Sequence, residues 1–86
     1  MKREYTKKEL EVLVINFLFR RGRWGNYYFP LTTLVNWLSK AIKNNGKYLI
    51  KSIKELIKKE IIMVHKRGKA ISLNPYKKEE IERILE

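Results

Sequence analysis

The chain predicts a mainly α fold with a small β-hairpin, an α+β domain of three core helices, a hairpin and a C-terminal helix. Three observations carry this reading. Apolar residues recur at helical spacing in three separate segments. Two short apolar runs, "IIMV" and "AISL", flank the cationic stretch "HKRGK". An "NP" pair then opens a last periodic stretch, the usual chemistry of a helix start.

Thr6-Lys7-Lys8-Glu9 has capping-box spacing: Thr6 can accept from the Glu9 backbone N–H while Glu9 reaches back to Thr6. A first helix is predicted over residues 7–21. Leu10, Leu13, Val14, Phe17 and Leu18 form its buried stripe, and Gly22 its C-terminal cap. Val12, Ile15 and Phe19 widen the apolar surface, as expected of a central helix or one that contacts a partner. "WGNYYFP" (24–30) is aromatic, broken by glycine and closed by proline, which suits a short extended piece or edge strand. In "LTTLVNWLSKAI" Thr32 or Thr33 is the expected cap, Leu34, Val35, Leu38 and Ile42 are the apolar face, and "KNNG" (43–46) is the stop.

The third helix is predicted over residues 47–60. At 100° per residue, Leu49, Ile50, Ile53, Leu56 and Ile57 share an arc of about 120°. Lys47, Lys51, Lys54 and Lys58 gather on another side, with Tyr48, Ser52, Glu55 and Lys59 between. Residues 61–66 and 69–73 read as antiparallel strands joined by an Arg67-Gly68 turn, with Ile62, Val64, Ile71 and Leu73 on one face. Asn74 caps the last helix, 76–86, which presents Ile81, Ile84 and Leu85.

Eighty-six residues fit one domain, a core over about 6–75 with the terminal helix added. Without cysteine there is no disulfide and no thiolate metal site. No apolar run reaches the ~18 residues of a membrane span. The basic start leads through an apolar run to "RRGRWG" rather than to a small-residue cleavage site. A cytoplasmic protein with no membrane partner is expected. The charge is the strongest global feature: 20 Lys+Arg face 9 acids, all Glu, for a net +11. Residues 1–73 hold 17 basic and 5 acidic groups, and the tail is near neutral. A polyanion partner accounts for such an excess. The competing source is the Lys/Ile-rich composition of heat-loving organisms, which raises Glu together with Lys and so leaves the imbalance unexplained.

From Ser52 onward "SIKELIKKEII…HKRGKAISLNP" resembles the winged helix-turn-helix family. Ile53 and Leu56 match core positions of its recognition helix, Ile61-Ile62 the entry to the first wing strand, Lys66-Arg67-Gly68-Lys69 the wing tip and Ile71–Leu73 the return strand. "PLTTLVNWL" (30–38) is similar to the helix before the turn. The likeness spans about residues 6–75 and rests on element order more than on an invariant motif. Glu60 stands where the family usually has glycine, and the stretch 35–49 is longer than the usual helix-turn-helix spacing. The resemblance implies a three-helix core plus wing that binds DNA.

On the third helix Lys47, Lys51, Lys54 and Lys58 are candidate phosphate contacts. Tyr48, Ser52 and Glu55 are candidate base contacts, the hydroxyls as donors and Glu55 accepting from cytosine N4. The helix has no Arg, the usual guanine reader, which points to weak sequence discrimination or readout through shape. A solvated helix face is the plainer account of the same lysines. In the hairpin, Arg67 with Lys66 and Lys69 can reach a narrow minor groove, where negative potential is strongest, and His65 beside it is a polar surface residue or phosphate donor. Arg20, Arg21 and Arg23 serve either the dipole of the first helix or a DNA backbone. Trp24 is expected as a core lid; Trp37 and Tyr27-Tyr28-Phe29 either pack in the core or stack unpaired bases.

One His and no Cys or Asp leave no triad, metal cluster or acid–base dyad, so neither an enzyme nor a metal or other cofactor is expected. The expected function is double-stranded DNA binding as a small transcriptional regulator, with homodimerisation through the first or last helix compatible with their apolar surfaces. A winged-helix adaptor for an acidic protein and an RNA or single-strand binder are the alternatives.

Overall fold

The capping box opens the first helix as its spacing requires. In the computed structural model, which describes residues 4–40, 42 and 46–86, the Glu9 N–H donates to Thr6 Oγ1 at 3.1 Å and the Thr6 N–H to Glu9 Oε1 at 2.9 Å. Helix α1, Lys7–Arg20, follows. It ends in paired backbone bonds, Gly22 N–H to the Phe19 carbonyl and Arg23 N–H to the Leu18 carbonyl, with Gly22 at φ +63°. Leu10, Val14, Ile15, Phe17 and Leu18 are all buried, because α1 is packed by α3, α4 and the sheet together.

Strand β1, Phe29–Pro30, leads straight into α2, Leu31–Ser39. Neither Thr32 nor Thr33 caps α2. Pro30 holds that position without a side-chain hydrogen bond, so the chain coils directly from the end of the paired strand. Of the predicted stop, residues 43–45 lie outside the described residues, and Gly46 has φ +79°. A β-carbon on Gly46 would stand 2.9 Å from Ser39 Cβ, so the return from α2 to α3 needs glycine there.

Helix α3, Lys47–Lys58, buries Leu49, Ser52, Ile53 and Leu56. Ile50, expected in the core arc, is 43% exposed, and Ser52 takes the buried place at the other flank. The apolar arc is rotated because α1 packs on the Ser52 side. Strands β2, Ile62–His65, and β3, Ala70–Leu73, pair antiparallel with Ile62 opposite Leu73 and Val64 opposite Ile71. The expected hairpin is part of a three-stranded sheet in the order β1-β3-β2, with Phe29 opposite Ile71. Hence β3 is central and buried along its whole length. Asn74 accepts from the Tyr76 N–H, a short turn covers Pro75–Lys77, and α4, Lys78–Leu85, buries Ile81. Among the described residues the fold is thus α+β, four α-helices and a small antiparallel sheet around one core. Among the described residues no helix is long and apolar enough to cross a membrane.

Glu60 explains how α3 ends. Its N–H donates to the Ile57 carbonyl, Ile61 donates to the Leu56 carbonyl, and Glu60 itself sits at φ +64°. This is the left-handed cap geometry that glycine normally fills. The Asn74 side-chain amide holds it by donating to the Glu60 carbonyl at 2.7 Å. Holding a non-glycine residue there costs roughly 1–2 kcal/mol. Glu60→Gly is therefore expected to stabilise the fold by about 0.5–1 kcal/mol, visible as a melting midpoint several degrees higher by circular dichroism.

Candidate nucleic-acid interface

Three sides of α3 have three different jobs. The core side is held by Leu49, Ile53 and Leu56. The side toward α1 carries Tyr48, Ser52, Glu55 and Lys59. Lys7 Nζ lies 3.9 Å from Glu55 Oε2, and Lys59 Nζ lies 3.4 Å from Glu11 Oε2. Tyr48 and Lys51 border a cavity of about 370 Å³ whose other wall is Glu4, Tyr5 and Lys7. The third side is solvent-facing and holds Lys47, Ile50, Lys51, Lys54 and Lys58.

The expected base contacts therefore divide from the expected phosphate contacts. Ser52 is 2% exposed and turned inward, so its hydroxyl is not available to a base edge. Glu55 is half-buried and its carboxylate already faces an ammonium. Tyr48 is 52% exposed but stands on the flank toward the N-terminal segment. All three fall where α1 packs, because they follow one another at i, i+4 and i+7 beside the core stripe. The four lysines behave otherwise: each is exposed, and none makes an ion pair among the described residues.

The loop after β2 is the second cationic element. Lys66, Arg67 and Lys69 are all exposed. Arg67-Gly68 does form the centre of the turn, with the Lys69 N–H donating to the Lys66 carbonyl at 3.2 Å. The pairing, however, stops at His65–Ala70, so the connection is Lys66 to Lys69 rather than the two central residues alone. Lys66, Arg67 and Gly68 all have positive φ, +52°, +56° and +89°. Two cations thus occupy a backbone region that costs each of them roughly 1–2 kcal/mol. At its root the Leu31 N–H donates to the Lys69 carbonyl at 2.9 Å, which ties the loop to the start of α2.

His65 is neither a free surface residue nor a ready phosphate donor. Its ring stacks on Tyr28 at 4.9 Å between centroids, and its Nε2 is 2.9 Å from Ser72 Oγ. Ser72, fully buried, donates its one hydroxyl proton to the Gly25 carbonyl at 2.7 Å. Nε2 must therefore be the donor, which fixes the neutral tautomer as Nε2–H. Lys66 Nζ stands 5.7 Å from the Tyr28 ring, so the loop leans on this stack. In the sequence Tyr28 is legible only as an aromatic beside an edge strand. Its role depends on β1 pairing with β3, which sets it across the sheet from His65.

The other aromatic and arginine residues fall into place differently. Phe17, Phe29 and Trp37 form an edge-to-face trio, with Trp37 still 49% exposed. Arg21 lies over the Phe17 ring at 3.7 Å and Arg23 faces Phe29 at 5.5 Å, so both guanidiniums rest on aromatic faces. Trp24 packs edge-on to Phe19 and against the core, as a lid should.

Comparison of the chain with protein-family models, with curated proteins and with solved structures finds no match.

Removing the Ser72 hydroxyl would leave the Gly25 carbonyl and His65 Nε2–H without their partner inside the protein. Ser72→Ala is expected to cost about 1–3 kcal/mol, read as a lower urea midpoint. A nitrogen NMR spectrum of the unmodified protein with the His65 ring neutral should show Nε2 as the protonated ring nitrogen.

Proposed function

We propose that this chain is a double-stranded DNA-binding protein of the winged helix-turn-helix type, a small regulator of transcription with no catalytic role. Helix α3 would lie in the major groove, with the loop 66–69 as a wing on the backbone or minor groove. The observation that carries this reading is the outward side of α3. Four lysines without an ion pair among the described residues project from it, and α3 packs against β2, the strand that runs into a second cationic loop.

Several features support the reading. The element order, helix, short strand, two helices, then a hairpin that adds to the short strand, is the order of that family. Glu60 takes the left-handed conformation its glycine would take. The four lysines on the outward side of α3 stay exposed with α4 in place. Backbone strain at Lys66 and Arg67 fits a loop kept for what its cations touch, since glycine or asparagine would make the turn at lower cost. A dimer of this chain would meet along the groove between α1 and α4, where Val12, Leu13, Ile84 and Leu85 remain half-buried.

Lys51→Glu, Lys54→Glu and Arg67→Glu combined remove three exposed cations and introduce three acids without touching the core. The triple variant is expected to keep its circular dichroism spectrum and lose duplex binding in a gel shift at equal salt. Unchanged binding by the triple variant would overturn the reading. Capture of one stoichiometric acidic protein after nuclease treatment, with no shift of any duplex, would favour the adaptor reading instead.

A further inference from the structure

Resting on that duplex-binding reading, we infer that the ligand is duplex DNA irrespective of base sequence, held through its phosphates. Direct readout in the major groove needs side chains that match a donor–acceptor pattern: Arg or Lys on guanine, Asn or Gln on adenine, Glu or Asp on cytosine. Of these the solvent-facing side of α3 offers only lysine. It consists of Lys47, Ile50, Lys51, Lys54 and Lys58. A lysine ammonium is a point charge on a flexible stem, with no fork to distinguish one base edge from another, and a phosphate satisfies it as well as guanine does. Ile50, 43% exposed, offers only apolar contact with a thymine methyl.

The other candidate readers of the helix lie off this side. Ser52 is buried, Glu55 faces Lys7, and Tyr48, 52% exposed, stands on the flank toward the N-terminal segment. Turning Ser52 outward would rotate α3 by about a third of a turn. That rotation would expose Leu49 or Leu56, both 0% accessible, and break the Lys59–Glu11 pair. The core therefore fixes which side of the helix DNA meets. The hairpin loop adds no reader either. Its exposed side chains are Lys66, Arg67 and Lys69, and an arginine in a minor groove senses groove width rather than base identity.

Seven cations then account for the affinity: four on α3 and three on the loop. If each neutralises a phosphate, the slope of log K against log salt approaches about −6, with the same slope on every duplex. Proteins that read bases prefer their site by roughly 10³-fold or more, whereas phosphate contacts discriminate hardly at all.

The test is fluorescence anisotropy of the full chain with duplexes of about 20 base pairs: an A-tract, a G·C-rich segment and several mixed sequences. A selection from a random duplex pool at physiological salt runs in parallel. Dissociation constants within about tenfold of one another, a common salt slope and no enriched motif are expected. Lys54→Gln should weaken binding by one common factor on all of them. A preference beyond tenfold for one sequence, or an enriched motif, would overturn base-blind binding and leave the duplex reading standing. Failure to bind any duplex, with single-stranded or RNA probes bound instead, would overturn both.

Discussion

The way α3 is clamped decides everything else about this molecule. Leu49, Ile53 and Leu56 turn one side into the core, and the Lys7–Glu55 and Lys59–Glu11 pairs hold the adjoining side against α1. The apolar contacts supply most of the energy, because exposed ion pairs contribute ~1 kcal/mol at best. The pairs add a modest bias toward this rotational setting. What remains outside is a row of lysines. The same packing that stabilises the fold thus leaves the lysines outside and turns Ser52 inward.

The sheet extends that logic to the hairpin. Because β1 pairs with β3, the central strand is buried and the loop after β2 is anchored at both ends, by the His65–Ser72–Gly25 chain of hydrogen bonds and by Leu31 bonded to Lys69. A loop of cations in left-handed backbone conformation would relax if it were free. Anchored this way, it holds its charges at a fixed place relative to α2 and the sheet.

Much of the fold is legible in the sequence because it rests on local rules. The capping box, the glycine after α1, the lysine-rich third helix and the Asn-Pro start of the last helical segment each depend on a few neighbouring residues. The features that escape a sequence reading are tertiary. The rotation of the buried arc of α3 from Ile50 toward Ser52 depends on where α1 lies, and helical spacing alone does not contain that. The pairing of Phe29 and Pro30 with a strand far along the chain leaves little trace in the aromatic cluster around them. For the site, the charges are readable and their pairing is not. Lys59 is drawn off to Glu11 and Glu55 to Lys7, while the four neighbouring lysines stay exposed.

The most direct test of duplex binding through the open side of α3 is a chemical-shift map of the isotope-labelled chain titrated with a short duplex at moderate salt. Shifts concentrated on Lys47, Ile50, Lys51, Lys54, Lys58 and residues 66–69, with Ser52 and α4 little changed, are the predicted result. Shifts centred instead on α4 or on the Phe17–Phe29–Trp37 cluster, with α3 silent, would contradict it.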